Sequence, residues 1–439
     1  MKGRRYPLGI QTFERIIKGN YVYVDKTELV YNLTHESTYC FLSRPRRFGK
    51  SLLVTTLQAY FEGKKELFKG LAIDHLETEW ITYPVIHLDI SKGKYYSIEN
   101  LMSTLNVVLS PYEKLYHLTP DKSDDFNVRL INIVKAAKQQ TGKNVVVLID
   151  EYDAPMHDSM KDEKMHEQIR NIMRNFFSPL KSEEDNLQFV FMTGISKFSQ
   201  LSIFSELNNI TNISMDEAYA GICGITKEEL LTQMSDDIDR LAEKLSITRE
   251  NAIQQLKDNY DGYHFTYPSP DIFNPYSLLN CFSKEKIGSY WFGSGTPTFL
   301  IEMMRKFGTT PMDIGESEMA DVSDFDAPTE TMESIVPLLY QSGYVTIKDY
   351  DEETYLYELG IPNKEIRIGL FKSLLPNYLT RSSQRGKVAI AQMSVLIKNG
   401  DIDGALELFR TFLATVPYCE NTKYEGHFQQ LMYVVFALL

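Results

Sequence analysis

The tripeptide Gly49-Lys50-Ser51 carries the clearest chemistry in this sequence. It closes the octet Arg44-Pro45-Arg46-Arg47-Phe48-Gly49-Lys50-Ser51. The octet follows the apolar run YCFLS at 39–43 and opens a helical pattern to about Phe61, where Gly63 is a stop signal. A glycine lets the backbone come close to phosphates. A lysine ammonium reaches the β- and γ-phosphates, a serine hydroxyl can ligate Mg2+, and a helix N-terminus adds a positive dipole. The pattern is that of a Walker A loop, G-x-x-x-x-G-K-[ST], with Arg44 standing where the first glycine would be. The tripeptide alone is weak evidence; its place at a strand–helix junction gives it weight. Arg46, Arg47, Phe48, Gly49, Lys50, Ser51 and Leu52 are therefore the expected ATP-binding residues, with Lys50 also acting in catalysis.

The run VVVLIDEYD at 145–153 supplies the complement. Apolar β-formers ending in Asp150 read as a Walker B strand, whose carboxylate emerges beside the phosphate loop and holds Mg2+ together with Ser51. Glu151 follows, placed to polarise the attacking water. Asp153 is the next candidate for that role. A further strand at 187–193 ends in Thr193-Gly194, where a polar sensor of the γ-phosphate is expected. Each residue also has a bland reading. Asp150-Glu151 fits a strand-end turn, Thr193 a cap, and Arg46 and Arg47 solvated loop charges. Lys197, Asn208 and Asn209 are candidates for the γ-phosphate side, with a structural role equally open. Asp25 and Lys26 fit the border of an adenine pocket, although a capping box of Asp25 with Glu28 already explains the first. The aromatic residues of NYDGYHF and SYWFGSG fit the packing of an accessory region better than the stacking of bases.

These side chains have to be held by alternating elements. Strands are expected at 21–24, 39–43, 85–90, 144–150 and 187–193, and helices at 98–116, 123–140 and 161–181. Strands alternating with helices mean a parallel sheet covered on both faces. The strand at 85–90 lies between the two motifs in sequence, as in AAA-type and RecA-type ATPases. The fold class expected is α/β, a P-loop NTPase with a parallel sheet flanked by helices. After about residue 220 the pattern changes. Residues 226–258 are helical, opened by a capping box of Thr226 with Glu229, and 308–330 hold seven acids and no Lys or Arg, so they read as a surface connection. Residues 343–359 alternate around a polar turn as a β-hairpin, which beside helices suggests a winged-helix-like unit. A helical hairpin broken at Asn399-Gly400 is expected over 385–416. The apolar ending LMYVVFALL reads as a core helix cut partway.

Composition narrows the partners. The 46 basic and 59 acidic residues give a net charge of −13, which argues against a broad basic nucleic-acid surface. Arg44, Arg46 and Arg47 leave a local basic patch for DNA or RNA, or for a neighbouring subunit's nucleotide in a homo-oligomer. The four cysteines lie far apart and the histidines lack zinc spacing, so buried thiols in a reducing compartment are expected and a structural metal is not. No signal-peptide core and no run of membrane-spanning length occur, which points to a cytoplasmic protein with no membrane partner. A length of 439 residues suggests about three units, read as 1–220, 221–415 and 416–439.

In order along the chain stand PLGIQTFERI, YVYVDKT, RPRRFGKSLL, VVVLIDEYD, TGISKFS, IFSELNNITNIS, YDGYHF, FNPYSLL, YWFGSGTP, LLYQSGYVTIK and GIPNKEIR. Together they resemble the bacterial AAA-ATPase-like family whose members usually carry a C-terminal PD-(D/E)xK nuclease domain. The resemblance runs from about residue 5 to the end. It implies an ATPase core, an accessory helical and winged-helix-like region, and then a nuclease. It carries nucleotide binding onto Gly49, Lys50 and Ser51, and the metal and water roles onto Asp150 and Glu151. An arginine at position 44 is usual in that family. KYEGHFQQLMYVVFALL resembles the opening helix of the nuclease, with Glu425 at the place of its first acid; the later acids have no counterpart here, so no cleavage of nucleic acid is expected. Two functions follow: an ATPase that regulates an attached nuclease, or a nucleotide-dependent switch that turns over little. Glu151 favours the first.

Overall fold

A computed structural model describes residues 5–120, 125–160, 162–195, 210–292, 298–315, 318–325, 334–377, 383–414 and 424–439. The chain forms two compact units. One comprises 1–235, 264–275 and 323–332; the other comprises 236–263, 276–322 and 333–439.

The first unit is organised by strands β1 (Tyr39–Ser43), β2 (Val85–Asp89), β3 (Val145–Asp150), β4 (Leu187–Gly194) and β5 (Thr211–Asn212). They pair in parallel in the order β2-β3-β4-β1-β5. Helices α1 (Phe13–Lys18) and α2 (Thr27–Glu36) precede β1, and α3 (Lys50–Phe61), α4 (Ile73–Leu76), α5 (Ile98–Leu115), α6 (Phe126–Thr141), α7 (Ala154–Ser159), α8 (Glu163–Phe177) and α9 (Pro179–Ser182) run between the strands. β3 is buried along its whole length. Its unbroken apolar run requires this, because a strand covered on both faces has no solvent side to alternate toward. Val145, Val147 and Ile149 share a core with Leu105 of α5, Ile133 of α6 and Ile169 of α8. The other face of β3 is covered by α3.

The strand between β1 and β3 in space is β4, whereas β2, which lies between them in sequence, is at the sheet edge. The register sets Ser43 opposite Gly194 and Ile149 opposite Met192, so the C-terminal ends of β1, β4 and β3 are level. Every residue that follows those strands is therefore delivered to one edge of the sheet, where ligands bind in open α/β sheets.

Strands β1 to β4 form within a residue of the expected bounds. Other expectations need correction. YVYV at 21–24 is not a strand: among the described residues only Tyr21 forms a bridge, to Arg5, and the Tyr23 ring packs edge-on against Phe13. Asp25 does not form a capping box with Glu28. Its Oδ1 instead accepts the Thr27 amide at 2.8 Å, an Asx turn ahead of α2. The long helix expected at 161–181 is two, α8 and α9, separated at Ser178-Pro179 because proline cannot donate within a helix. Residues 226–258 hold three helices, Lys227–Gln233, Ser235–Leu245 and Arg249–Tyr260. The capping box of Thr226 with Glu229 forms as expected.

In the second unit the hairpin forms from the strands Thr346–Asp351 and Leu356–Gly360, and the strand Glu318–Ala320 joins it as a third. The acidic stretch at 308–330 is thus partly built into a sheet; pairing across the chain overrode its polar composition. The helices Ser383–Lys398 and Ile402–Ala414 flank Gly400, left-handed at φ +79°. The helix Tyr424–Leu438 packs on Lys364–Leu374, with the Tyr433 ring edge-on to Phe371. The described cysteines Cys40, Cys223 and Cys281 are buried free thiols. Among the described residues no helix is long and apolar enough to cross a membrane.

Candidate functional site

β1 ends at Ser43 and α3 begins at Lys50, so residues 44–49 form a loop over the sheet edge. Gly49 caps the helix at φ +102°, and a Cβ there would meet nothing within 4 Å. The demand for glycine is thus one of backbone conformation alone. Arg47 is also left-handed, at φ +70°. The loop closes on the Lys50 ammonium, which donates to the carbonyls of Arg44 at 3.0 Å and Pro45 at 3.4 Å. That ammonium also stands 3.4 Å from Glu151 Oε1. Lys50 is only 3% exposed, so these three oxygens compensate a buried charge.

Asp150, the last residue of β3, is 4% exposed. Ser51, one residue into α3, hydrogen-bonds it, and Oδ1 has no partner. Burial pushes its carboxyl up to about 7; neighbouring Glu151 and Asp89 add to the rise, while the Ser51 hydrogen bond and Lys50 oppose it. A buried carboxylate oxygen with no donor, beside a serine hydroxyl, fits a hard divalent cation such as Mg2+. Among the described residues no group of three or more His, Cys, Asp or Glu could hold a metal by itself. Such a cation would then rely on Asp150, Ser51 and the phosphates together. Asp89 was not expected here. It ends β2 in register with Asp150, and an acid closing a second parallel strand was the signal for it.

Glu151 follows on a left-handed backbone, φ +50°, with its side chain 22% exposed. Thr193 is fully buried, and its hydroxyl donates to the Leu42 carbonyl at 2.7 Å, tying β4 to β1 just ahead of the loop. Phe48 is 1% exposed and packs edge-on against Phe265, so its contribution is to fix the loop's underside. Arg46, Arg47 and the partly buried Ser51 and Leu52 lie at the surface side of the loop. Arg44 is not part of a surface basic patch. It is 1% exposed, Nη1 donates to the carbonyls of Ser43 at 2.9 Å and Ser214 at 2.7 Å, Nη2 donates to that of Tyr219 at 3.3 Å, and the guanidinium lies 4.1 Å over the Phe265 ring. Its carbonyl partners at 214 and 219 are some 170 residues away in sequence, which is why no local signal revealed it. Asp25 and Lys26 are structural in the same sense. Asp25 Oδ2 accepts the Ala72 amide at 2.8 Å, and Lys26 pairs with Glu229 at 2.5 Å. Lys197, Asn208 and Asn209 lie outside the described residues.

Residues 7–204 match the family described as Predicted AAA-ATPase. A protein of Azotobacter chroococcum mcd 1, described as an uncharacterized protein in the vnfD 5'region, is 32% identical over 450 residues, spanning 100% of this chain and 84% of that protein. The chain belongs to the predicted AAA-ATPase family. That membership supports a nucleotide-binding, ATPase-like role for the chain. In this AAA-ATPase-like chain the anchors of Arg44 at Ser214, Tyr219 and Phe265 lie beyond the matched stretch, so the loop depends on residues outside it.

Restoring the consensus glycine should therefore weaken this loop. Arg44→Gly removes three hydrogen bonds and leaves buried carbonyls unpaired, at a cost of about 3 kcal/mol. Urea unfolding checks this; stability unchanged within about 0.5 kcal/mol would contradict it.

Asp150 gives a pH-dependent prediction. Its folded carboxyl titrates near 7 against an ordinary 3.8. Between those values the folded chain holds a proton that the unfolded chain releases, so stability falls as pH rises through the window. Asp150→Asn lacks that loss. In EDTA, its melting temperature should exceed the parent's by several degrees at about pH 8 and match it at about pH 4. An equal difference at both values would show that Asp150 is not a proton-holding buried acid.

Proposed function

We propose that this chain binds ATP with Mg2+ at residues 44–52 and hydrolyses it with Glu151 as general base. The observation that carries the reading is the convergence, from two strands that are not neighbours, of Lys50, Ser51, Asp150 and Glu151, with Lys50 3.4 Å from Glu151. Mg2+, when bound, neutralises phosphate charge. Lys50 exchanges the carbonyls of Arg44 and Pro45 for phosphate oxygens. The amides of the first turn of α3 and the dipole of that helix favour the anion further. Ser51 and the bare Oδ1 of Asp150 are the cation's protein partners. Glu151 accepts a proton from water as the water oxygen attacks the γ-phosphorus and the bond to the leaving diphosphate breaks. Thr193 acts at one remove, by fixing the end of β4 beside β1. The exposure of Arg46 and Arg47 supports a role for them in contacting phosphates or nucleic acid at the loop's rim.

The resemblance of 424–439 to the start of a nuclease extends the proposal: nucleotide turnover regulates a nuclease acting on DNA or RNA. An ATPase assay with and without DNA tests that extension. Stimulation supports it, and an unchanged rate at saturating DNA counts against it.

Lys50→Ala should abolish ATP binding, since phosphate charge then has no buried ammonium to meet. Calorimetry showing the parent's affinity would remove Lys50 from the site. Glu151→Gln should bind ATP normally and lose about 10²-fold or more in kcat, because an amide is too weak a base. Full turnover by that variant would assign the base elsewhere.

A further inference from the structure

The proposed base sits on strained backbone. Glu151 is left-handed without being glycine, a conformation that persists only where its surroundings over-determine it. Several contacts do so. The Tyr152 amide donates to the Thr193 carbonyl at 3.1 Å, and the Ala154 amide donates to the Glu151 carbonyl at 3.1 Å. The Tyr152 ring is fully buried and edge-on to Phe41. Asp153 supplies the side-chain anchor. Its carboxylate is 0% exposed, and Oδ2 accepts from the Ile195 amide at 2.9 Å and from His157 Nε2 at 3.0 Å.

Ile195 is the first residue beyond β4. Gly194, just before it, has no room for a side chain: a Cβ there would fall 2.4 Å from Asp153 Oδ1. The Gly194 carbonyl in turn accepts the Arg44 amide at 3.3 Å. One buried carboxylate thus joins the turn bearing Glu151 to the end of β4, and through Gly194 to the first residue of the phosphate loop. So complete a burial also removes Asp153 from consideration as an alternative base, since a base must reach the water it activates.

We propose that Asp153 is a positioning residue for hydrolysis, holding the Glu151 turn against the end of β4. The inference rests on the assignment of Glu151 as base. The two are separated by steady-state ATPase kinetics of Asp153→Asn, Gly194→Ala and His157→Ala, each made in the parent and in a Glu151→Gln background, with folding checked by thermal melting. Asp153→Asn and Gly194→Ala should lower kcat about tenfold with KM for ATP within about twofold, and His157→Ala should do so more weakly. In the Glu151→Gln background the same changes should cost nothing further, because no base is left to position. Equal losses in both backgrounds would show a merely structural role, and parent kcat in Asp153→Asn would overturn the inference alone. Should Asp153→Asn fail to fold, Gly194→Ala and the half-buried His157→Ala decide on the same criteria. Parent-like turnover by Glu151→Gln would instead overturn the base assignment and this inference with it.

Discussion

Lys50 is almost wholly buried, and an ammonium out of water is tolerated only with oxygens around it. Two of those oxygens are carbonyls of its own loop and the third belongs to Glu151. The arrangement is possible because β4 lies between β1 and β3 and levels their ends. Without β4 in that place the loop after β1 and the acids after β3 would not face one another at this spacing. The order β2-β3-β4-β1-β5 is therefore more than a fold label: it sets which charges meet.

The loop itself is held from beneath. In the consensus pattern a first glycine lets the chain turn freely. Here Arg44 is inserted into the first unit and bonded to carbonyls of Ser43, Ser214 and Tyr219, while Phe48 packs on Phe265 and its carbonyl accepts the Gly224 amide at 3.0 Å. Arginine suits this role because its planar fork satisfies several acceptors at once and its face stacks on an aromatic ring. The loop has thus exchanged backbone freedom at its first position for side-chain anchoring, while Gly49 and Arg47 keep left-handed backbone.

Much of this was legible in the sequence. The buried strands announced themselves as short apolar runs, and Gly49-Lys50-Ser51 and Asp150-Glu151 stood at their ends. What the sequence concealed depends on contacts across the chain. YVYV has the composition of a strand, yet among the described residues its pairing stops at the single bridge from Tyr21 to Arg5. Residues 318–320 lack strand composition but are captured by the strand Leu356–Gly360. Arg44 read as a surface charge because its partners lie at 214 and 219. Asp153 read as a second candidate base, and only its burial and its bonds to Ile195 and His157 show it to be an anchor.

The central claim is that the loop after β1 reads the terminal phosphates of a nucleotide through Lys50 and the start of α3. Calorimetric titration of the purified chain with ATP and with AMP, each with Mg2+, addresses it most directly. The account predicts saturable 1:1 binding of ATP at least about tenfold tighter than that of AMP, since only ATP offers the β- and γ-phosphates. Equal affinity for the two nucleotides, or no heat with ATP at millimolar concentration, would contradict it.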